Sequence, residues 1–274
     1  MNRLMVFNTI GRIIRAGAAL LLLPAAVSLI YLEYNCLWGF LISAALAFVI
    51  GSILALVCRP KNQVIYAKEG LAIVAIVWLC MSAIGALPFV ISGEIPHFAD
   101  AFFETVSGFT TTGASILTDV ESMSHGLLFW RSFTHWVGGM GVLVFVMALI
   151  PNLSDRSIHI MRAEMPGPIV GKLVPKVKDT AKILYLIYIV MTAVEVVFLL
   201  AGGMPLFDSL LHAFGTAGTG GFGIKADSIA SYSPYLQWVI AIFMLIFGIN
   251  FNLFYLALIR RFRSVFRSTE LWAY

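Results

Sequence analysis

Six apolar stretches recur along this chain, at 10–32, 36–58, 70–92, 126–150, 181–203 and 235–260. Each is long enough to cross the ~30 Å hydrocarbon core of a bilayer as a helix. Backbone groups in lipid must be satisfied within the segment, which restricts such stretches to helices or closed barrels. The runs are continuously apolar rather than alternating, so helices are expected. Composition agrees: 60% of the residues are hydrophobic and 12% are charged, against ~25% charged in a soluble domain. A soluble globular fold is excluded, and the expected class is an all-α polytopic membrane protein. No small-residue cleavage site follows the first run, so it reads as a span rather than a removable leader. Cys36, Cys58 and Cys80 form neither a metal spacing nor a disulfide framework and read as small packing residues.

Charge gives the topology. The net charge of +4 would suggest a nucleic-acid partner in a soluble protein; here none is expected, because the basic residues track the loops. All but Arg131 and Lys225 fall in four regions: the amino-terminal segment (Arg3, Arg12, Arg15), the 59–69 loop, the 151–182 loop and the end from Arg260 to Arg267. With six spans these regions share one side, and the positive-inside rule makes it cytoplasmic, with both ends of the chain there. The long outer loops are poor in Lys and Arg. Residues 93–125 carry Glu94, Asp100, Glu104, Asp119 and Glu121, an acidic set expected to form a vestibule that attracts cations.

Both outer loops contain the same pattern. Asp100-Ala-Phe-Phe-Glu-Thr-Val-Ser-Gly-Phe-Thr-Thr-Thr-Gly113 aligns without a gap on Asp208-Ser-Leu-Leu-His-Ala-Phe-Gly-Thr-Ala-Gly-Thr-Gly-Gly221, at an offset of 108 throughout. In each copy a Pro (Pro96, Pro205) and an Asp (Asp100, Asp208) sit where a helix start is favoured. The expected helices, 97–109 and 205–217, are too short to span. Each runs into a Thr/Gly stretch, 110–115 or 218–223. A half-crossing helix followed by glycine-rich backbone reads as a re-entrant loop lining a water-filled path. Such a loop can replace a cation's water shell with backbone carbonyls. The organisation is an amino-terminal transmembrane helix pair (1–66), then two parallel helix–pore-loop–helix repeats (67–155 and 156–274).

The two segments resemble the first and second pore segments of the Trk/Ktr/HKT superfamily of potassium transporters. Phe129-Trp-Arg-Ser-Phe-Thr-His-Trp-Val-Gly-Gly-Met-Gly-Val-Leu-Val-Phe145 and Phe251-Asn-Leu-Phe-Tyr-Leu-Ala-Leu258 strengthen the resemblance, and the extra helix pair is similar to the TrkH/TrkG branch. The resemblance implies potassium as the transported ion, no cofactor, and a selectivity filter of backbone carbonyls. Carried onto matching positions, the carbonyls are those of Thr111, Thr112, Thr219 and Gly220, and the filter glycines are Gly113 and Gly221, with Gly220 as the alternative in the second loop. It further implies a plasma membrane location (the bacterial inner membrane), a homodimer, and a peripheral cytoplasmic nucleotide-binding regulatory subunit. Family members carry four pore units and this chain carries two, so either a fragment or truncated product, the favoured reading, or a combination of two chains is expected. A secondary carrier with discontinuous helices and a non-conducting truncated product are the competing readings; no enzymatic constellation stands out.

Other polar residues have less context. Gly138, Gly139 and Gly141 read as close-packing positions, with a flexible hinge or an inner-pore contact as the sharper reading. Arg131 reads as an interfacial anchor. Glu195 lies inside a span, where an acid is a functional candidate by default; pairing with a polar or basic neighbour is the equal alternative, with no partner named by the sequence. His97, His125, His135, His159 and His212 have no metal-ligand spacing, and His212, at the repeat position of Glu104, reads as a pore-helix side chain. The basic 151–182 loop reads as topology or as a contact for headgroups or a cytoplasmic partner.

Overall fold

The computed structural model describes residues 2–60, 67–141 and 177–274, and among these every regular element is a helix. The first crossing comprises α1 (Arg3–Leu20) and α2 (Leu22–Ile30). Asn2 caps it by accepting from the Met5 N–H at 3.2 Å. The interruption at Leu21 falls just before Pro24, which has no N–H and whose ring crowds the carbonyl four residues back. Leu21 keeps right-handed helical angles, so the two pieces continue as one 28-residue apolar crossing. Three further helices are long and apolar enough to span: α3 (Tyr34–Val57), α4 (Ala67–Ser92) and α7 (Val177–Ala201). The protein is thus a multi-pass helical membrane protein.

Two short helices, α5 (Phe98–Phe109) and α8 (Leu206–Ala217), follow α4 and α7 respectively. Each has 12 residues, hence ~18 Å of length, too little to cross a bilayer. Asp100 and Asp208 lie in their first turns, where a carboxylate favours the positive end of the helix; the cap positions themselves are His97 and Pro205. After the first Thr/Gly loop comes α6 (His125–Gly139). Its first N–H groups are capped from a distant turn: Glu33 accepts from the His125 N–H at 2.8 Å and the Gly126 N–H at 3.0 Å. This joins the amino-terminal helix pair to the helix behind the loop. The fourth expected span, 126–150, continues past Gly141 outside the described residues.

The last expected span, 235–260, is corrected. It is two helices, α9 (Pro234–Phe247) and α10 (Phe251–Leu258), bent by 89°. The cause is local. Asn250 begins a new helix by accepting from the Asn252 N–H at 3.0 Å, so its side chain competes with continuation of the old one. Gly248, at the end of α9, lets the Tyr274 ring approach to a distance that a Cβ would obstruct. Polar backbone at the break is met by side chains: the Tyr274 hydroxyl donates to the Leu245 carbonyl at 3.1 Å. Asn250 Nδ2 donates to both Glu270 oxygens, at 3.2 and 3.1 Å. Glu270 belongs to the last of two short helices, α11 (Phe262–Phe266) and α12 (Thr269–Ala273).

Candidate functional site

The two Thr/Gly loops leave their short helices with matching hydrogen bonds at the same offset of 108. Thr110 N–H donates to Val106 and Thr111 N–H to Gly108; Gly218 N–H donates to Phe214 and Thr219 N–H to Thr216. Beyond this point both chains turn left-handed. Thr111 has φ +55° and Thr219 φ +57°; Gly113 has φ +77° and Gly221 φ +72°. Thr112 and Gly220, between them, do not have positive φ. A β-branched residue in the left-handed region is a true outlier, costing ~1–2 kcal/mol, and the same outlier occurs twice at equivalent positions. Alternating handedness turns successive carbonyls toward one side. Among the described residues no donor reaches the carbonyls of Thr111, Thr112, Thr219 or Gly220. The Thr110 and Thr112 hydroxyls are engaged with each other at 2.8 Å. The oxygens free to meet a ligand on the first loop's backbone are thus carbonyls.

The loops lie side by side. Gly113 faces the Gly220 carbonyl and Gly220 faces the Thr111 carbonyl, each so closely that a Cβ would collide with the oxygen. Below them, at the carboxy-terminal ends of α5 and α8, is a cavity of about 320 Å³. It is lined by Thr111, Gly218, Thr219, Gly141, Asn250 and Glu270 among others. The irregular backbone of the α9–α10 break borders this cavity, where broken helices are tolerated at membrane depth. Both short helices direct the negative ends of their dipoles this way, an arrangement that favours a cation.

One face of α6, from Arg131 through Thr134 and His135 to Gly138 and Gly139, runs along both loops. The His135 ring stacks on Phe222 with centroids 4.0 Å apart. Gly138 meets the Phe109 carbonyl, and Gly139 packs against Ala217 and Gly218. Gly138 and Gly139 thus pack on the ends of the two short helices, and both, with Gly141, also line the cavity below the loops. Gly138→Ala is expected to destabilise the protein by ~1–3 kcal/mol, the usual penalty for overpacking, because its Cβ would enter the rigid Phe109 carbonyl. Thermal unfolding of the detergent-solubilised protein measures this. An unchanged midpoint would mean that α6 does not press on α5 here.

Two sequence expectations are corrected. Arg131 is not an interfacial anchor, and Glu104 does not belong to an open vestibule. Both are buried, and Arg131 Nε meets Glu104 Oε1 at 2.5 Å. Glu104 also accepts from the Ser115 hydroxyl at 3.0 and 3.1 Å and from the Ile116 N–H at 3.1 Å. Arg131 donates to the Gly223 carbonyl at 2.7 Å and lies 3.7 Å from the Phe222 ring centroid. The pair thus fastens the ends of both loops, 115–116 and 222–223, to a single helix. Other acids of the two long loops also have partners: Glu94 accepts from Ser124 N–H and Asp208 from the Tyr232 hydroxyl. His212 is buried on α8. Glu195 is fully buried on α7, and its carboxyl lies beside Thr216. Most of the basic 151–182 loop lies outside the described residues.

The sequence matches the family model TrkH, a cation transport protein family, over residues 39–271. The Trk system potassium uptake protein TrkH of Salmonella typhimurium is 38% identical over 265 residues, covering 95% of this chain and 54% of that protein. TrkG of Escherichia coli, another Trk system potassium uptake protein, is 33% identical over 257 residues, covering 92% and 53%. The crystal structure of the potassium transporter TrkH from Vibrio parahaemolyticus superposes with a TM-score of 0.79 at 28% identity. That match covers 94% of this chain and 52% of that one. The chain spans about half the length of the relatives it matches.

Proposed function

Because the chain belongs to the TrkH family of cation transport proteins, we propose that it supplies half of a potassium uptake pathway. The observation that carries this reading is the pair of Thr/Gly loops with equivalent left-handed residues, Thr111 with Gly113 and Thr219 with Gly221. A backbone carbonyl in a folded protein normally has a hydrogen-bond partner. The unpaired carbonyls of Thr111, Thr112, Thr219 and Gly220 are suited to a partly dehydrated monovalent cation, which takes the place of the missing donors. Two loops make half of a four-sided ring, and two further pore units complete it. In this reading residues 67–155 and 156–274 are the first two pore repeats, and 1–66 is a helix pair packed beside them.

The resting potential drives the ion inward, with ~2.3 kcal/mol available per charge per 100 mV. The arginines of α1 and those from Arg260 to Arg267 face the cytoplasm, and the membrane is the bacterial inner membrane. As the superfamily resemblance implies, a peripheral nucleotide-binding subunit regulates the pathway from the cytoplasmic side in this reading, and the complete transporter is a homodimer. The broken α9–α10 span is also suited to a carrier with discontinuous helices around a midplane site. ⁸⁶Rb⁺ uptake by potassium-transport-deficient cells expressing the longest native reading frame separates the two. Uptake driven by membrane potential, competed by K⁺ and not by Na⁺, supports the filter. Uptake that needs an organic co-substrate, or no uptake with protein present in the membrane, contradicts it.

A further inference from the structure

Away from the loops, α1 and α3 form a second polar site. The two helices cross closely where Gly11 faces Gly51, each packing on the other's backbone. Asn8 Nδ2 reinforces the crossing by donating to the Ala55 carbonyl at 2.7 Å. Toward the end of α3 beside this crossing, the surface opens into a cavity of about 700 Å³ lined by Asn8, Arg12, Arg15, Phe48, Arg59 and Pro60, among others. Asn8, Arg12 and Arg15 share one helical face, and Arg59 closes the cavity from the end of α3.

The three guanidinium groups have no carboxylate partner among the described residues. The ion pairs found there involve Glu33 and Glu104. Glu69 accepts from the Asn2 N–H at 3.0 Å. Arg15 lies 5.4 Å from the Phe48 ring centroid, and Arg59 Nε is held by the Leu56 carbonyl at 3.1 Å. Two of the arginines are thus positioned by the protein, while no described carboxylate compensates the charge they carry. The same helix, α3, presents an exposed apolar strip from Val49 through Ile53 to Leu56 and Val57, and Leu56 also lines the cavity. The site therefore combines a cluster of anion-binding forks with an adjoining apolar track.

We propose that the α1–α3 cavity binds the phosphate of an anionic phospholipid headgroup, with an acyl chain lying along α3. Guanidinium forks match phosphate oxygens in a two-point geometry, and basic pockets between membrane helices on the cytoplasmic side receive such headgroups. A free phosphate ion would use the forks but gain nothing from the apolar strip, so lipid is the favoured occupant. A bound lipid would brace the helix pair against the membrane plane. Through the Glu33 cap it would also hold α6 at a fixed depth.

The test uses the longest native reading frame, purified in detergent and examined by native mass spectrometry after mixing with phosphatidylglycerol, phosphatidylcholine or inorganic phosphate. Wild-type protein is expected to retain phosphatidylglycerol in preference to phosphatidylcholine. Each of Arg12→Gln, Arg15→Gln and Arg59→Gln should weaken retention roughly fivefold, and the triple variant should lose one bound lipid per chain. The triple Lys variant should keep part of the affinity, as it retains the charge. Elution profile and melting temperature report folding; if the triple Gln variant is unfolded, the single variants carry the test. A folded triple Gln variant with wild-type phosphatidylglycerol stoichiometry would overturn the proposal. So would displacement of the lipid by millimolar inorganic phosphate, which would assign the site to a free anion.

Discussion

Gly113→Ser is expected to remove selective cation uptake, leaving ⁸⁶Rb⁺ flux at least about tenfold lower or no longer protected against competition by Na⁺. Two penalties coincide at this position. A side chain at φ +77° costs ~1–2 kcal/mol, and its Cβ would be driven into the Gly220 carbonyl of the neighbouring loop. Relief requires Gly220 to move, and with it a carbonyl proposed to meet the ion. Each 1.4 kcal/mol of disturbance is about a factor of ten. Gly221 provides the internal comparison. Its φ is +72°, but the nearest atom to an added Cβ is the flexible Met244 methyl at 3.5 Å. Gly221→Ala should therefore be milder than Gly113→Ala. Equal effects of the two, measured by uptake in potassium-transport-deficient cells, would show that contact between the loops is unimportant.

Arg131→Met should have the largest effect on stability. It leaves the Glu104 carboxylate buried without its counter-charge, a change that typically costs ~3–5 kcal/mol. It also releases the Gly223 carbonyl. Replacing both partners, as in Arg131→Met with Glu104→Met, removes the stranded charge and is expected to restore much of the thermal stability, since buried pairs contribute little net stabilisation against apolar replacements of similar size. Function should not return with it, because the ends of both loops have lost their anchors: Ser115 and Ile116 on one side, Gly223 on the other. Thermal unfolding and ⁸⁶Rb⁺ uptake with Na⁺ competition separate the two effects. A double variant that regains both stability and selectivity would mean that the pair is structural ballast rather than the fastening of the loops.

The legible part of this chain is what repeats locally. Apolar runs located α1 to α4 and α7, because membrane crossing is a matter of length and polarity. The ungapped register of 108 placed Thr111 over Thr219 and Gly113 over Gly221, and the backbone angles are equivalent at both pairs. The illegible part is what joins distant segments. Arg131 and Glu104 are 27 residues apart, on separate helices, and each alone fits a commonplace surface role. A signal was available: two opposite charges within predominantly apolar surroundings are expected to find each other. The break at Gly248 to Asn250 was concealed for a different reason. Both flanks are apolar, so hydropathy averages over the interruption, while the Asn250 cap that ends the crossing is a single residue. The convergence of α6 on both loops depends on how α5, α6 and α8 pack together, which no local pattern encodes.

The central claim is that backbone carbonyls of the two loops hold the ion. Its most direct test is a crystal structure of the complete native reading frame grown in Rb⁺ or Tl⁺, with anomalous density used to locate the ion. Density in contact with the carbonyls of Thr111, Thr112, Thr219 and Gly220, and absent in the Gly113→Ser protein, is the predicted result. Density confined to carboxylates such as Glu270, with none between the loops, would contradict it.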